Sequence, residues 1–375
     1  MPLDLSAIPI VDNHCHSLLR NQPQDDEAFR NHLTESYIPE VARRDVPHSL
    51  VYHWAIRELA SLLGCEPQAA AVHAARRERG LESLTREIVE RANFKTWLVD
   101  TGYGTDTTFG LDELRGFVAC DIREIVRLEP LIERLILEAT DFDGFLDAYR
   151  AALSDLRGSG YVAMKSVLAY RTGLQLERVD RSTAAAAFGP VHEMARRDGR
   201  LRIESKPLLD FLILAAVEES ARQEVPIQFH TGLGDPDLDL TKADPAGLRL
   251  LFSDAYRAAP IVLLHTGYPY VRSLSYLAAM YPNVYADLGE VQLFVAGDLR
   301  SIVRELLGLA PMNKILFSTD ASLVPELYWL GAQAGRRALG QVLDEHIAEG
   351  LIDERTAIGM AEMILWRNAE RVYRL

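Results

Sequence analysis

The amino-acid sequence predicts a (β/α)8 TIM barrel with a helical insertion after its first strand, and three observations carry that reading. Eight short apolar runs rich in β-branched residues alternate with helical patterns along the chain, the order of elements that builds a parallel sheet wrapped in helices. The runs are nearly continuous in hydrophobicity, as strands covered on both faces are. Four of them end in histidine or aspartate, at the strand end where such barrels carry their active sites. The length of 375 residues fits one unit, since these barrels run from about 200 to over 400 residues. No linker, low-complexity tract or close internal repeat divides the chain, so residues 1–375 read as a single domain.

The first strand is the run Ile8-Pro9-Ile10-Val11-Asp12-Asn13-His14-Cys15-His16. Side chains at i and i+2 of a strand share a face, so His14 and His16 project together while Cys15 points away. The insertion covers residues 25–92, with helical patterns at 51–63 and 68–79 followed by Gly64 and Gly80 as stop signals. Insertions at this end of a barrel build lids and substrate pockets. Further strands are predicted at 94–99, 124–128, 161–168, 226–230, 260–265, 283–288 and 314–320. Helices are predicted at 131–138 and 207–222, and closing helices over 330–375.

Composition excludes several classes of function. With 48% apolar and 25% charged residues the chain can bury a large core and has no disordered character. Its 40 Lys+Arg against 54 Asp+Glu give a formal charge of −14, which repels phosphate backbones and anionic membranes. The longest apolar run, residues 211–217, is far too short to span a bilayer. Nucleic acid and membrane are therefore not expected partners; a small-molecule substrate is, and a homo-oligomer is left open. The segment MPLDLSAIPI has neither a basic region nor a long apolar stretch, so no secretory signal is expected. Cys15, Cys65 and Cys120 are odd in number and lack CxxC spacing, which suits a reduced, cytoplasmic protein.

The strand ends carry the chemistry. His14 and His16 close the first strand, His230 the fifth, His265 the sixth and Asp320 the eighth. Imidazoles and a carboxylate converging on one mouth make a site for a divalent transition metal. Zn is the first expectation, with Mn or Fe as alternatives, and one ion or two remain open. Arg171, just past the fourth strand, is placed to pair with a substrate carboxylate. Glu129, after the third strand, is a candidate for a substrate ammonium. Tyr103, Asp106, Asp287 and Glu290 are weaker candidates for lining the pocket. Trp54 and Trp97 read as packing residues, and Cys15 has no base beside it to make it a nucleophile.

His-Cys-His on the first strand, FHTG at 229–232, LHTG at 264–267 and STDA at 318–321 resemble the amidohydrolase superfamily of metal-dependent barrels. VDNHCHSL at 11–18, MKSVLAYRTGL at 164–174 and the helical insertion are similar to its amidohydrolase-2 branch, especially the barrel domain of nodulin and glutamine-synthetase fusion proteins. The resemblance covers nearly the whole chain. It implies that His14, His16 and His230 ligate the metal and that Asp320 binds or approaches it and takes a proton from water. His265 would ligate a second metal or polarise the scissile group. Lys165, on the fourth strand, would be a carboxylated bridge between two ions, a cationic substrate contact, or an amine snorkelling from the barrel core.

The function this implies is metal-dependent hydrolysis of a C–N amide bond in a small polar substrate bearing a carboxylate. The alternatives are a metal-dependent decarboxylase or lyase, and a barrel that serves as a binding module without turnover.

Overall fold

The computed structural model describes residues 3–375. Its eight parallel strands are β1 (Ile10–Cys15), β2 (Phe94–Asp100), β3 (Asp121–Arg127), β4 (Tyr161–Ser166), β5 (Ile227–Phe229), β6 (Ile261–Leu263), β7 (Val284–Leu288) and β8 (Ile315–Phe317). They hydrogen-bond in chain order from β1 to β8. The seam between β8 and β1 closes just beyond the ladders. Asp320 N donates to the His14 carbonyl at 3.1 Å and His16 N to that of Ala321 at 2.9 Å. The Asp12 carboxylate accepts from the Thr319 amide at 2.9 Å and from its hydroxyl at 2.5 Å. The fold is the expected (β/α)8 barrel, and its seam is what holds Asp320 beside His14.

Alternation along the strands divides the core in two. Val11, Leu98, Ile125, Ala163, Val262 and Leu316 meet inside the ring, and the helix Asn368–Tyr373 plugs it with Ala369, Val372 and Tyr373. Neighbours such as Ile10, Trp97, Met164, Ile261 and Phe317 face the surrounding helices. Trp97 stacks on Tyr328 at 3.9 Å between ring centroids, and Trp54 packs half-buried against the same outer core, so both are packing residues. The long helix Pro325–Ala348 lies so close to β8 that a Cβ at Gly335 would collide with the Phe317 ring. No helix among the described residues is long and apolar enough to cross a membrane.

Between β1 and β2 lie the helices Asp26–Arg30, Leu50–Leu63, Ala69–Arg79 and Leu81–Arg91. Asp25 and Ser49 cap the first two by accepting from the amides of Ala28 and Tyr52. The helix Leu50–Leu63 ends at Gly64 with φ 69°, a left-handed turn that glycine enters without a Cβ penalty. Arg76 Nε donates to Glu326 Oε1 at 2.6 Å, both side chains buried, and so ties the insertion to the helix Pro325–Ala348. Held this way, the insertion brings residues around 31–37 over the mouth of the barrel.

Several boundaries differ from the sequence reading. Strands β5, β6 and β8 are three residues each, and His16, His230, His265 and Asp320 stand just past their ladders. The backbone has already left the strand there: φ is 67° at His265 and 53° at Asp320. The helix after β3 starts at Leu128 instead of 131 and takes Glu129-Pro130 into its first turn, where the missing proline N–H leaves no bond unmade.

Candidate metal centre and its cleft

The centre is built on the seam. Nε2 of His14 and Nε2 of His16 each lie 3.3 Å from Oδ1 of Asp320. On the other side, Nδ1 of His265 is 3.7 Å from Oε2 of Glu290 and 3.8 Å from Oδ2 of Asp320. Asp320 therefore belongs to two groups, His14/His16/Asp320 and His265/Glu290/Asp320, in each of which the potential ligand atoms fall within 4.8 Å of one another. Lys165 projects between them, with Nζ 3.2 Å from His14 Nε2 and 3.5 Å from His265 Nε2.

Hydrogen bonds determine which ring nitrogen faces the centre. Gln228 Nε2 donates to the Asn13 carbonyl at 2.7 Å and to the Tyr373 hydroxyl at 2.8 Å. Its Oε1 is thus the acceptor 2.8 Å from His14 Nδ1, which must carry the proton. His16 Nδ1 likewise faces the Asp100 carbonyl at 3.2 Å. Both Nε2 lone pairs are left pointing inward, the arrangement metal-ligating imidazoles adopt. His230 is oriented differently: its Nε2 faces the Leu233 carbonyl at 2.7 Å. Its ring lies 4.3 Å from that of His265 on the cleft wall, and it belongs to neither group.

Burial sets the charges. It pushes the His14 imidazole down to about 4, with Lys165 acting in the same direction, and pushes His230 and His265 well below the usual histidine range. Burial also brings the Lys165 amine down to about 8, against the pull of Asp320 and Asp100. At Asp320 burial acts upward, but the ring nitrogens of His265, His14 and His16 hold the carboxyl well below its usual range. Glu290 is pushed well above its usual range by burial and by Glu35 and Asp320. Asp320, Glu290 and His265 all have left-handed backbones, with φ of 53°, 61° and 67°. Such strain in non-glycine residues gathers at functional sites.

The centre opens into a cleft of about 370 Å³. Lys165, Arg171, Tyr103, His230 and His265 line it. Tyr103 stands over His16, ring centroids 5.1 Å apart. Arg171 is held by Glu133 at 3.0 Å. Glu129 corrects an expectation: it is not on the cleft. Its place in a helical first turn buries the carboxylate, which accepts from Ser166 Oγ at 2.7 Å and the Val167 amide at 3.0 Å. Asp287 is also buried behind the centre, accepting from Asn13 and Ser318, and Asp106 is exposed. Cys15 faces away, its thiol toward the Leu98 carbonyl.

Sequence reasoning missed Arg127, Glu35 and Asp235, which also line the cleft. Asp100, which closes β2, accepts from Arg127 Nε and Nη2 at 2.9 and 2.6 Å. An aspartate ending an apolar run is the signal that singled out Asp320, and it applies to Asp100 too. Nothing local marks Glu35 or Asp235.

The family model described as Amidohydrolase matches residues 184–375. The chain belongs to the amidohydrolase family. This amidohydrolase is 33% identical over 404 residues to Protein fluG of Emericella nidulans, an alignment covering 98% of the chain and 46% of that protein. The chain thus spans about half the length of the curated relative it matches. It is 30% identical to a crystallised Lactobacillus casei ATCC 334 protein described as a metal-dependent hydrolase, with a TM-score of 0.89 over 100% of this chain and 98% of that one. A uronate isomerase from Thermotoga maritima shares the fold, with a TM-score of 0.69 and 15% identity over 98% of this chain and 95% of that one.

The family is metal-dependent, and the residues present suit an ion. Nδ1 of His265, Oε2 of Glu290 and Oδ1 of Asp320 are buried without a hydrogen-bond partner, a state that native structures rarely tolerate unless a water or ion completes it. The mixed imidazole and carboxylate set is one that divalent transition metals accept.

Proposed function

We propose that this amidohydrolase hydrolyses the C–N amide bond of a small polar substrate bearing a carboxylate. The observation that carries this reading is the position of Asp320: an ionised carboxylate with Oδ1 shared by two inward-facing imidazoles and Oδ2 turned toward His265. His14, His16 and Asp320 would hold the ion, Zn first among the candidates and Mn or Fe after it, with His230 beside them on the cleft wall. Glu290 and His265 would take a second ion if two bind. A bound divalent ion acts as a Lewis acid and brings the pKa of water down to about 7.

The chain's own groups supply the rest. Asp320 accepts the proton that water loses as its oxygen joins the acyl carbon. It returns that proton to the amide nitrogen as the C–N bond breaks, leaving a carboxylate and a free amine. Lys165 and His265 border the same space and would donate to the carbonyl oxygen as negative charge builds there. Arg171, whose Nε has no hydrogen-bond partner, would take the substrate carboxylate, and Tyr103 covers the His16 side of the mouth.

The test is product analysis on metal-loaded protein. N-acyl and γ-glutamyl amides should release amine stoichiometrically, and metal removal by a chelator should stop it. Carbon dioxide released from aromatic acids in place of amine would establish the lyase alternative, and a metal-free protein inert with every substrate would favour a binding module.

A further inference from the structure

We infer that Asp287 is a positioning residue of the metal centre: its carboxylate joins the ends of the four strands on which both ligand groups stand. The inference deepens the proposed function and rests on its reading of this mouth as a metal centre. It assigns a role to a carboxylate that the hydrolytic steps do not use.

His14 and His16 stand at the end of β1, His265 follows β6, Glu290 follows β7 and Asp320 follows β8. Asp287 is the penultimate residue of β7 and is fully buried. Its Oδ1 accepts from Nδ2 of Asn13, the neighbour of His14 on β1, at 2.7 Å. Its Oδ2 accepts from Oγ of Ser318, two residues before Asp320, at 2.9 Å and from the amide of His265 itself at 3.1 Å. Donors from the ends of β1, β6 and β8 thus converge on one side chain of β7.

The bond to His265 sets the ligand geometry most directly. His265, Thr266 and Gly267 all have left-handed backbones, with φ of 67°, 56° and 58°, and such strain in non-glycine residues persists only where the surroundings over-determine it. Asp287 holds the amide at the start of that turn, and the turn brings His265 Nδ1 to Glu290 and Asp320. Glu290 leaves the same strand three residues after Asp287. A Cβ at Gly289 would collide with Asp287 Oδ2 and Ser318 Oγ, so a larger residue there would break this contact beside Glu290.

The other side of the carboxylate is held as firmly. Asn13 Nδ2 also donates to the Phe317 carbonyl at 2.8 Å, and Asn13 Oδ1 accepts from the Tyr373 hydroxyl at 2.9 Å. That hydroxyl accepts from Gln228, whose Oε1 faces His14. Hydrogen bonds therefore run without a break from His14 to His265 through Gln228, Tyr373, Asn13 and Asp287, in a buried setting where each bond polarises the next. An asparagine at 287 can serve only one side of this chain. It has one acceptor oxygen, so its N–H groups would face either Asn13 Nδ2 or the His265 amide, donor against donor.

The experiment loads the full-length protein with Co²⁺, whose visible absorption bands report ligand geometry, and measures affinity by competition with a chelator. Asp287→Asn should bind Co²⁺ about ten- to a hundredfold more weakly than the parent, as the loss of a residue that holds ligands in place commonly does, and its bands should shift. Asp210→Asn is the control for a carboxylate with a purely structural place. Asp210 is also buried, on the helix Lys206–Gln223, where it accepts from Lys206 and the Glu177 amide. Its variant should lower the melting temperature and keep the parental bands and affinity. Ser318→Ala removes a single donor and should weaken Co²⁺ binding by about two- to tenfold, with a smaller band shift. Parental bands and affinity in Asp287→Asn overturn the inference whatever its melting temperature and leave the metal centre standing, as do equal band shifts in Asp210→Asn. If Asp287→Asn does not fold, parental values in Ser318→Ala overturn it. A parent protein that takes up no Co²⁺ overturns the metal centre and this role with it. Co²⁺ binding that depends on Asp287 without cleavage of any amide overturns the hydrolase reading and leaves the positioning role.

Discussion

Gln228 and His14, 214 residues apart in sequence, are joined inside the barrel by a 2.8 Å contact between Oε1 and Nδ1. The glutamine is itself held by Tyr373 from the C-terminal plug, so the floor of the barrel dictates the tautomer of a histidine at its mouth. Gln228→Leu should weaken metal binding by about ten- to a hundredfold, the usual effect of losing the partner that orients a ligand imidazole. Competition with a chelator of known affinity measures it, and undiminished retention would mean that His14 does not ligate.

Asp320 and the histidines should separate when mutated. His16→Ala is expected to lose most of the metal. Asp320→Asn keeps a coordinating oxygen but cannot take a proton, so it should retain much of the metal while turnover falls by about a hundred- to ten-thousandfold. Metal analysis beside single-turnover rates distinguishes these, and a His16→Ala protein with full metal and full rate would place the site elsewhere.

Acid should destabilise the fold through His32 in the insertion. Burial pushes its imidazole down to about 4, with Arg76 adding to the effect and Glu326 opposing it. The unfolded chain, with an ordinary histidine near 6.5, then binds the proton first. The stability this group contributes is complete above about 6.5 and is lost as pH falls toward 4, with a slope of at most about 1.4 kcal/mol per pH unit. Urea denaturation of parent and His32→Gln across pH 4 to 7 should show a shallower slope in the variant.

The Arg76–Glu326 pair joins the insertion to the helix Pro325–Ala348 with both partners buried. Glu326→Gln leaves the guanidinium uncompensated and should lower stability by about 3 to 5 kcal/mol. Replacing both residues by methionine should cost less than that single change, because an apolar pair leaves no buried charge. Chemical denaturation of the two variants decides it.

Much of the barrel was legible because apolar runs alternating with helical patterns repeat the same local signal eight times, and errors at element ends do not change the topology. The insertion was legible from its helical periodicity and its stop glycines. The strand ends were less so. A histidine following an apolar run reads as part of the strand, yet His265 and Asp320 have turned into left-handed backbone. Glu129 and Glu290 both follow strands, but Glu129 was captured by a helical first turn while Glu290 was turned into the cleft.

By itself the sequence determined the order of strands and helices and the residues that stand at the barrel's mouth, since periodicity and punctuation are properties of neighbours along the chain. Only the tertiary structure decided which nitrogen of each histidine faces inward, which arginines are already paired, and that Glu35 and Asp235 reach the same cleft. Those outcomes depend on hydrogen-bond and charge partners brought in from distant strands and from the insertion, and such partners become neighbours only when the ring closes.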